Sequence, residues 1–211
     1  MTTRLRLLAE HLLLFYGSIV LLIALDVPGG PIPVLLVAGA AVSAYLWRFD
    51  RHDLWRARAL RGALPGMLGR WTVFSLLAVA AVAMFDRTHL FDMPREQPWL
   101  WLAVITFYPL LSVYPQELLY RAFLLRRYAP LAGEGRGAAA MGAAAFGFAH
   151  LIFGNVPAVV LTITGGWLFA RRFQRTRSLL VVSVEHALYG ITIFTVGLGR
   201  LFYHGAGGLQ T

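Results

Sequence analysis

An all-α, polytopic transmembrane helix bundle of about seven to eight helices is predicted by three observations. Apolar residues make up 58% of the 211-residue chain and charged residues only 14%, with a mean hydropathy of +0.65; a soluble domain carries roughly 25% charged residues. The apolar residues collect in runs of membrane-spanning length. The 19 basic residues are all arginine, and they fall mostly in the segments that alternate crossing puts on one side. This composition argues against a soluble enzyme, a disordered chain and a fibrous repeat.

A helix needs roughly 20 apolar residues to cross the hydrocarbon core, and runs near 7–25, 31–47, 71–85, 99–125, 138–153, 156–170 and 179–198 meet or approach that length. The third is short. The fourth is long, and Pro109 and Pro115 should kink or divide it, which is why the count stands at seven or eight. No small-residue cleavage site follows Arg4 and Arg6, so the first run is expected to remain as a span. Segments 1–6, 48–70, 121–136 and 171–177 hold sixteen arginines, against three (Arg87, Arg95, Arg200) on the other side. This positive-inside pattern predicts a cytoplasmic N-terminus, in the inner membrane if the protein is prokaryotic. It also accounts for the net charge of +9, so no nucleic-acid partner is expected. The loop 48–70, with Arg48, Phe49, Asp50, Arg51, His52, Asp53, Leu54, Trp55 and Arg56, reads as an amphipathic segment on the inner surface. No repeat or soluble domain interrupts residues 1–211, which read as a single integral membrane domain. The absence of cysteine excludes thiolate metal sites, cysteine nucleophiles and disulfides.

A charge at the middle of a spanning helix costs roughly 2.5–3.5 kcal/mol, so ionisable groups inside the spans need a reason. Five stand out: Glu117, Arg121, His150, Glu185 and His186. Glu10 and His11 lie near the inner end of the first span and read as structural. At a rise of ~1.5 Å per residue, Glu117 lies about 13 Å above Arg126 and Arg127, His186 about 13 Å above Arg177, and His150 about 18 Å above the start of its span. Three polar groups from three helices thus share one layer in the inner half of the bilayer. Glu117 and Arg121 are four residues apart on one helix face, as an ion pair would be. The glycines and alanines between Gly137 and Gly147 let neighbouring helices approach closely, so the span carrying His150 should be central. Glu185 and His186 diverge by about 100° around their helix. Glu185 therefore reads as a supporting carboxylate or the partner of an interior arginine, or equally as a direct member of the site.

Three strings in these spans resemble the motifs of the CAAX protease and bacteriocin-processing (Abi) family of intramembrane proteases, which includes the type II CAAX prenyl endopeptidases. Gln116-Glu117-Leu118-Leu119-Tyr120-Arg121 resembles its Glu-Glu-x-x-x-Arg motif, Phe146-Gly147-Phe148-Ala149-His150 its Phe-x-x-x-His element, and His186-Ala187-Leu188-Tyr189-Gly190 its final His-x-x-x-Asn element. Their order and spacing agree over about residues 100–200, which would form the catalytic core. The resemblance implies that the first carboxylate of the pair, with the histidine of the second motif, activates a water, and that the final Asn helps hold the oxyanion. This chain has Gln116 and Gly190 at those two positions.

The expected function is an intramembrane endopeptidase that hydrolyses a peptide bond near the cytoplasmic face, acting on a peptide or lipid-modified peptide amid membrane lipid. Hydrolysis needs an activated water and a donor for the oxyanion. Glu117 could take the base role that Gln116 leaves open, with His150 sharing the proton and His186 donating to the oxyanion. Tyr189 or Asn155 could then replace the missing amide, with Gln116, Arg121 and Glu185 in support. His150, His186 and a carboxylate, Glu117 or Glu185, could instead hold a divalent metal such as Zn, as a two-His, one-carboxylate set. Two other readings compete: a non-catalytic relative acting as a binding or immunity protein, motivated by Gln116 and Gly190, and a b-type haem protein using His150 and His186.

Overall fold

A backbone in hydrocarbon must satisfy its own hydrogen bonds, which leaves helices and closed barrels as the available solutions. In the computed structural model, which describes residues 3–25, 30–49 and 54–202, those residues are predominantly helical, with no strand among them. The helices are α1 (Thr3–Leu25), α2 (Pro31–Phe49), α3 (Ala57–Phe85), the short α4 (Asp92–Glu96), α5 (Pro98–Arg127), the short α6 (Ala129–Ala132), α7 (Arg136–Phe153), α8 (Val156–Thr176) and α9 (Leu179–Val196). Asp50, Arg51, His52 and Asp53 of the expected surface segment lie outside the described residues.

Among the described residues, six helices (α1, α2, α3, α5, α7 and α9) are long and apolar enough to cross a membrane. The helix α8, read from sequence as a seventh span, forms as expected but is not among them. Its apolar stretch 156–170 extends only about 22 Å, and Arg171, Arg172, Gln174 and Arg175 follow within the same helix. The helix α3 departs from expectation in the other direction. It begins at Ala57, well before the expected start at 71, and runs through Pro65. Packing overrides the poor helix formers Gly62, Pro65, Gly66 and Gly69: Ala63 and Met67 are buried against Val181 of α9.

Pro109 and Pro115 do not divide α5. The helix widens into π turns at Pro109–Val113 and Leu118–Phe123 and continues. A π turn is a recurrent way to absorb a disrupted i→i−4 ladder.

The closest packing is between α7 and α8, where the small residues meet. A Cβ at Gly147 would stand 2.2 Å from Ile163, and one at Gly166 3.1 Å from the backbone of Ala143, so these glycines set the helix separation. The core is aromatic, with Phe15, Tyr120, Phe123, Tyr128, Phe146, Phe169 and Phe173 in one buried cluster. Leu13, Val73, Leu76, Leu77, Phe85 and Trp99 face outward, as lipid-facing side chains would. Glu10 clamps the N-terminal part of α1 to the end of α5 through Arg127, with both hydrogen bonds at 2.8 Å, and also accepts from the Tyr128 hydroxyl at 3.1 Å. That is the structural role the sequence suggested for Glu10.

Candidate active site

The fold brings α5, α7 and α9 together around one cavity of about 1110 Å³, and His150 and His186 both line its wall. Each imidazole is held differently. His150 ends the α-helical part of α7, and its Nδ1 is 2.7 Å from the carbonyl oxygen of Phe146. A carbonyl only accepts, so the proton sits on Nδ1 and Nε2 keeps its lone pair. His186 Nδ1 is 2.8 Å from Glu117 Oε1, so a neutral His186 also carries its proton on Nδ1. The ring of Phe146 packs edge-on against both imidazoles, at 4.6 Å from His150 and 5.7 Å from His186, and Phe169 stacks on His186 at 4.7 Å.

Glu117 and Arg121 are fully buried. Glu117 stands behind His186, away from the cavity wall; it is Gln116 that reaches the wall. The Gln116 amide nitrogen donates to Ser112 Oγ at 2.8 Å, while its Oε1 is buried without a hydrogen-bond partner. Arg121 Nε lies 3.1 Å from Glu117 Oε2. That contact compensates charge, but it is off the hydrogen-bond line, and the guanidinium makes no hydrogen bond among the described residues. The cation instead faces the rings of Phe146 at 4.6 Å and Phe169 at 5.6 Å, a favourable arrangement for a desolvated guanidinium. Arg121 is thus an ion-pair partner that also braces the site's aromatic wall.

Other residues singled out from the sequence have different surroundings. Glu185 points away from His186, as their 100° divergence required, and is buried between Arg70 (2.9 Å) and Arg172 (2.6 Å). It ties α9 to α3 and α8. The amide of Asn155 is fully engaged elsewhere: Oδ1 caps α8 by accepting from Ala158 N at 2.9 Å, and Nδ2 donates to the Leu201 carbonyl at 2.8 Å. Asn155 is therefore a helix cap. Tyr189 does line the cavity, packed on Phe74 and Phe169.

The expected metal set does not assemble. Both oxygens of Glu117 are turned to His186 and Arg121, and His186 Nδ1 is spent on the carboxylate. No group of three His, Asp or Glu side chains among the described residues is arranged to hold an ion. As folded, Glu117, His150 and His186 do not fit a divalent metal.

One cavity residue escaped sequence reasoning. Tyr108 Oη is 3.3 Å from His186 Nε2 and lines the same wall. A tyrosine in an apolar span reads as core, and nine residues at about 100° each would put it opposite Glu117 on a regular helix. The π turn at Pro109–Val113 lies between the two and resets the phase, so both reach His186.

No curated protein and no solved structure matches the chain. Residues 96–192 match a family described as type II CAAX prenyl endopeptidase Rce1-like. That segment carries Tyr108, Gln116, Glu117, His150, His186 and Gly190, all three motif strings included. Over that segment the chain is similar to the type II CAAX prenyl endopeptidase Rce1-like family.

Proposed function

We propose that the protein is an intramembrane endopeptidase of the CAAX type, which hydrolyses a peptide bond at the cavity wall formed by His150 and His186, on the cytoplasmic side of the membrane. The observation that carries this reading is the buried Glu117–His186 hydrogen bond of 2.8 Å behind a cavity that His150 also lines. A carboxylate accepting from Nδ1 fixes the tautomer, leaves Nε2 as a base and stabilises the imidazolium that forms. Glu117 thus acts through His186. This differs from the expectation that Glu117 itself faces the water and that His186 donates to the oxyanion.

Hydrolysis then proceeds as follows. A water accepted into the site gives one hydrogen bond to His186 Nε2 and one to His150 Nε2. Its oxygen attacks the scissile carbonyl carbon as its proton passes to His186 Nε2. The tetrahedral intermediate collapses, the C–N bond breaks, and His186 returns the proton to the leaving amine. Gln116 lines the same wall, and its amide oxygen, unpartnered at rest, would meet a substrate N–H once the side chain turns outward.

The cavity is lined mainly by apolar residues, among them Leu22, Leu35, Phe107, Leu111 and Phe153, which favours a lipid-modified peptide as substrate. The test is to incubate the protein in lipid vesicles with a prenylated C-terminal peptide and to identify products by mass spectrometry. A single internal cut is expected. Intact peptide, prenylated or not, would overturn the reading.

A further inference from the structure

Peptide hydrolysis needs a hydrogen-bond donor where the carbonyl oxygen becomes negative, and position 190 has no side chain to provide one. We propose that Tyr108 is that donor, a catalytic residue supplied from α5 in place of a side chain from α9. The proposal rests on the endopeptidase reading.

Two independent observations meet at this hydroxyl. Tyr108 Oη lies 3.3 Å from His186 Nε2, beside the imidazole assigned to move the proton and on the wall of the same cavity. The second observation is steric. A Cβ built on Gly190 would stand 2.3 Å from the Tyr108 hydroxyl and 2.4–2.6 Å from its ring carbons. The phenol head therefore occupies the space that any side chain at 190 would need. Glycine at 190 and tyrosine at 108 are one arrangement: the missing side chain is what admits the hydroxyl.

The ring is well held for this task. It packs edge-on against Phe194 at 5.3 Å and against His186 at 6.2 Å. In the resting site the hydroxyl donates to the bare Nε2 of neutral His186. When water takes over that acceptor and the carbonyl carbon becomes tetrahedral, the O–H turns about its C–O bond and donates to the oxyanion. The proton stays on the phenol oxygen, so the step adds no charge and leaves the proton balance with His186.

The test compares parent protein, Tyr108→Phe, Gly190→Asn and the double variant Tyr108→Ala/Gly190→Asn on a prenylated C-terminal peptide in lipid vesicles, with thermal unfolding of each. Phenylalanine keeps the ring and its packing and removes only the hydroxyl. It should lower kcat about 10²–10³-fold, the range seen for loss of one oxyanion donor, with KM within about threefold. Gly190→Asn alone should lose activity and unfold at a lower temperature, because its side chain meets the phenol. Removing the ring in that background should restore at least about tenfold of the lost kcat, as the amide N–H takes over the donor role. An active parent with a Tyr108→Phe kcat within threefold of its own, or a Tyr108→Phe effect confined to KM, would overturn the role of Tyr108 and leave the endopeptidase reading standing. A parent that cuts no peptide would overturn both.

Discussion

Glu117 Oε1 and His186 Nδ1 lie 2.8 Å apart, from helices whose sequence positions differ by 69 residues. Both side chains are buried, so the contact organises the site electrostatically as well as sterically. Arg121 on the far side of Glu117 compensates the carboxylate, and the imidazole of His186 is the group that faces the cavity.

The two ends of that arrangement are separable by mutation. Glu117→Gln keeps the shape but can hold the wrong His186 tautomer, and is expected to lower kcat by up to about 10⁴-fold while the protein still folds. Glu117→Ala also strands Arg121 in the interior, and breaking a buried pair costs about 3–5 kcal/mol. Turnover and thermal unfolding measured on both variants check the split: equal stability in the two would contradict it.

Glu185 is assigned no part in the chemistry. Glu185→Ala leaves Arg172 without its buried partner and should destabilise the fold by about 3 kcal/mol. Turnover per folded molecule should stay within a few-fold of the parent. Active-site titration together with thermal unfolding separates the two effects, and a large fall in kcat at full folding would return Glu185 to the site.

In the proposed reaction the Gln116 amide turns from its buried position at the cavity wall to accept one hydrogen bond from the substrate. Gln116→Ala should raise KM about five- to tenfold, the worth of roughly one hydrogen bond, with little change in kcat. Steady-state kinetics on the prenylated peptide is the check; a collapse of kcat would make Gln116 part of the proton chemistry.

Helix approach at α7 and α8 depends on the absence of side chains. Gly147→Val puts new atoms into Ile163, and overpacking of this kind costs about 1–3 kcal/mol. Because α7 carries His150, activity should fall along with stability, and Gly147→Val/Ile163→Ala should recover part of both in a thermal-unfolding and turnover comparison.

Much of this was legible in the sequence, because depth along a helix follows from residue count alone. The shared height of Glu117, His150 and His186 could be read from distances to flanking arginines for Glu117 and His186 and to the start of its span for His150, and the divergence of Glu185 from His186 follows from being neighbours on one helix. The facing of residues across the prolines of α5 was not legible. Its π turns break the 3.6-residue period, so Tyr108 read as core and Glu117 was expected on the cavity wall that Gln116 occupies. The start of α3 was hidden by Pro65 and three glycines whose poor propensity is offset by packing on α9. Asn155 ahead of Val156 and Pro157 carries a local helix-capping signal, which the bond to Ala158 fulfils; its second bond, to Leu201 46 residues away, was not legible.

The central claim is that two imidazoles on one cavity wall, one of them backed by a carboxylate, cut a peptide bond. The most direct measurement is the cleavage rate of a prenylated C-terminal peptide by parent, His150→Ala and His186→Ala proteins in lipid vesicles, each shown by thermal unfolding to be folded. The parent is expected to cleave, with His150→Ala slower by about 10²-fold or more and His186→Ala by about 10⁴-fold. Cleavage at the parent rate in either variant would contradict that claim.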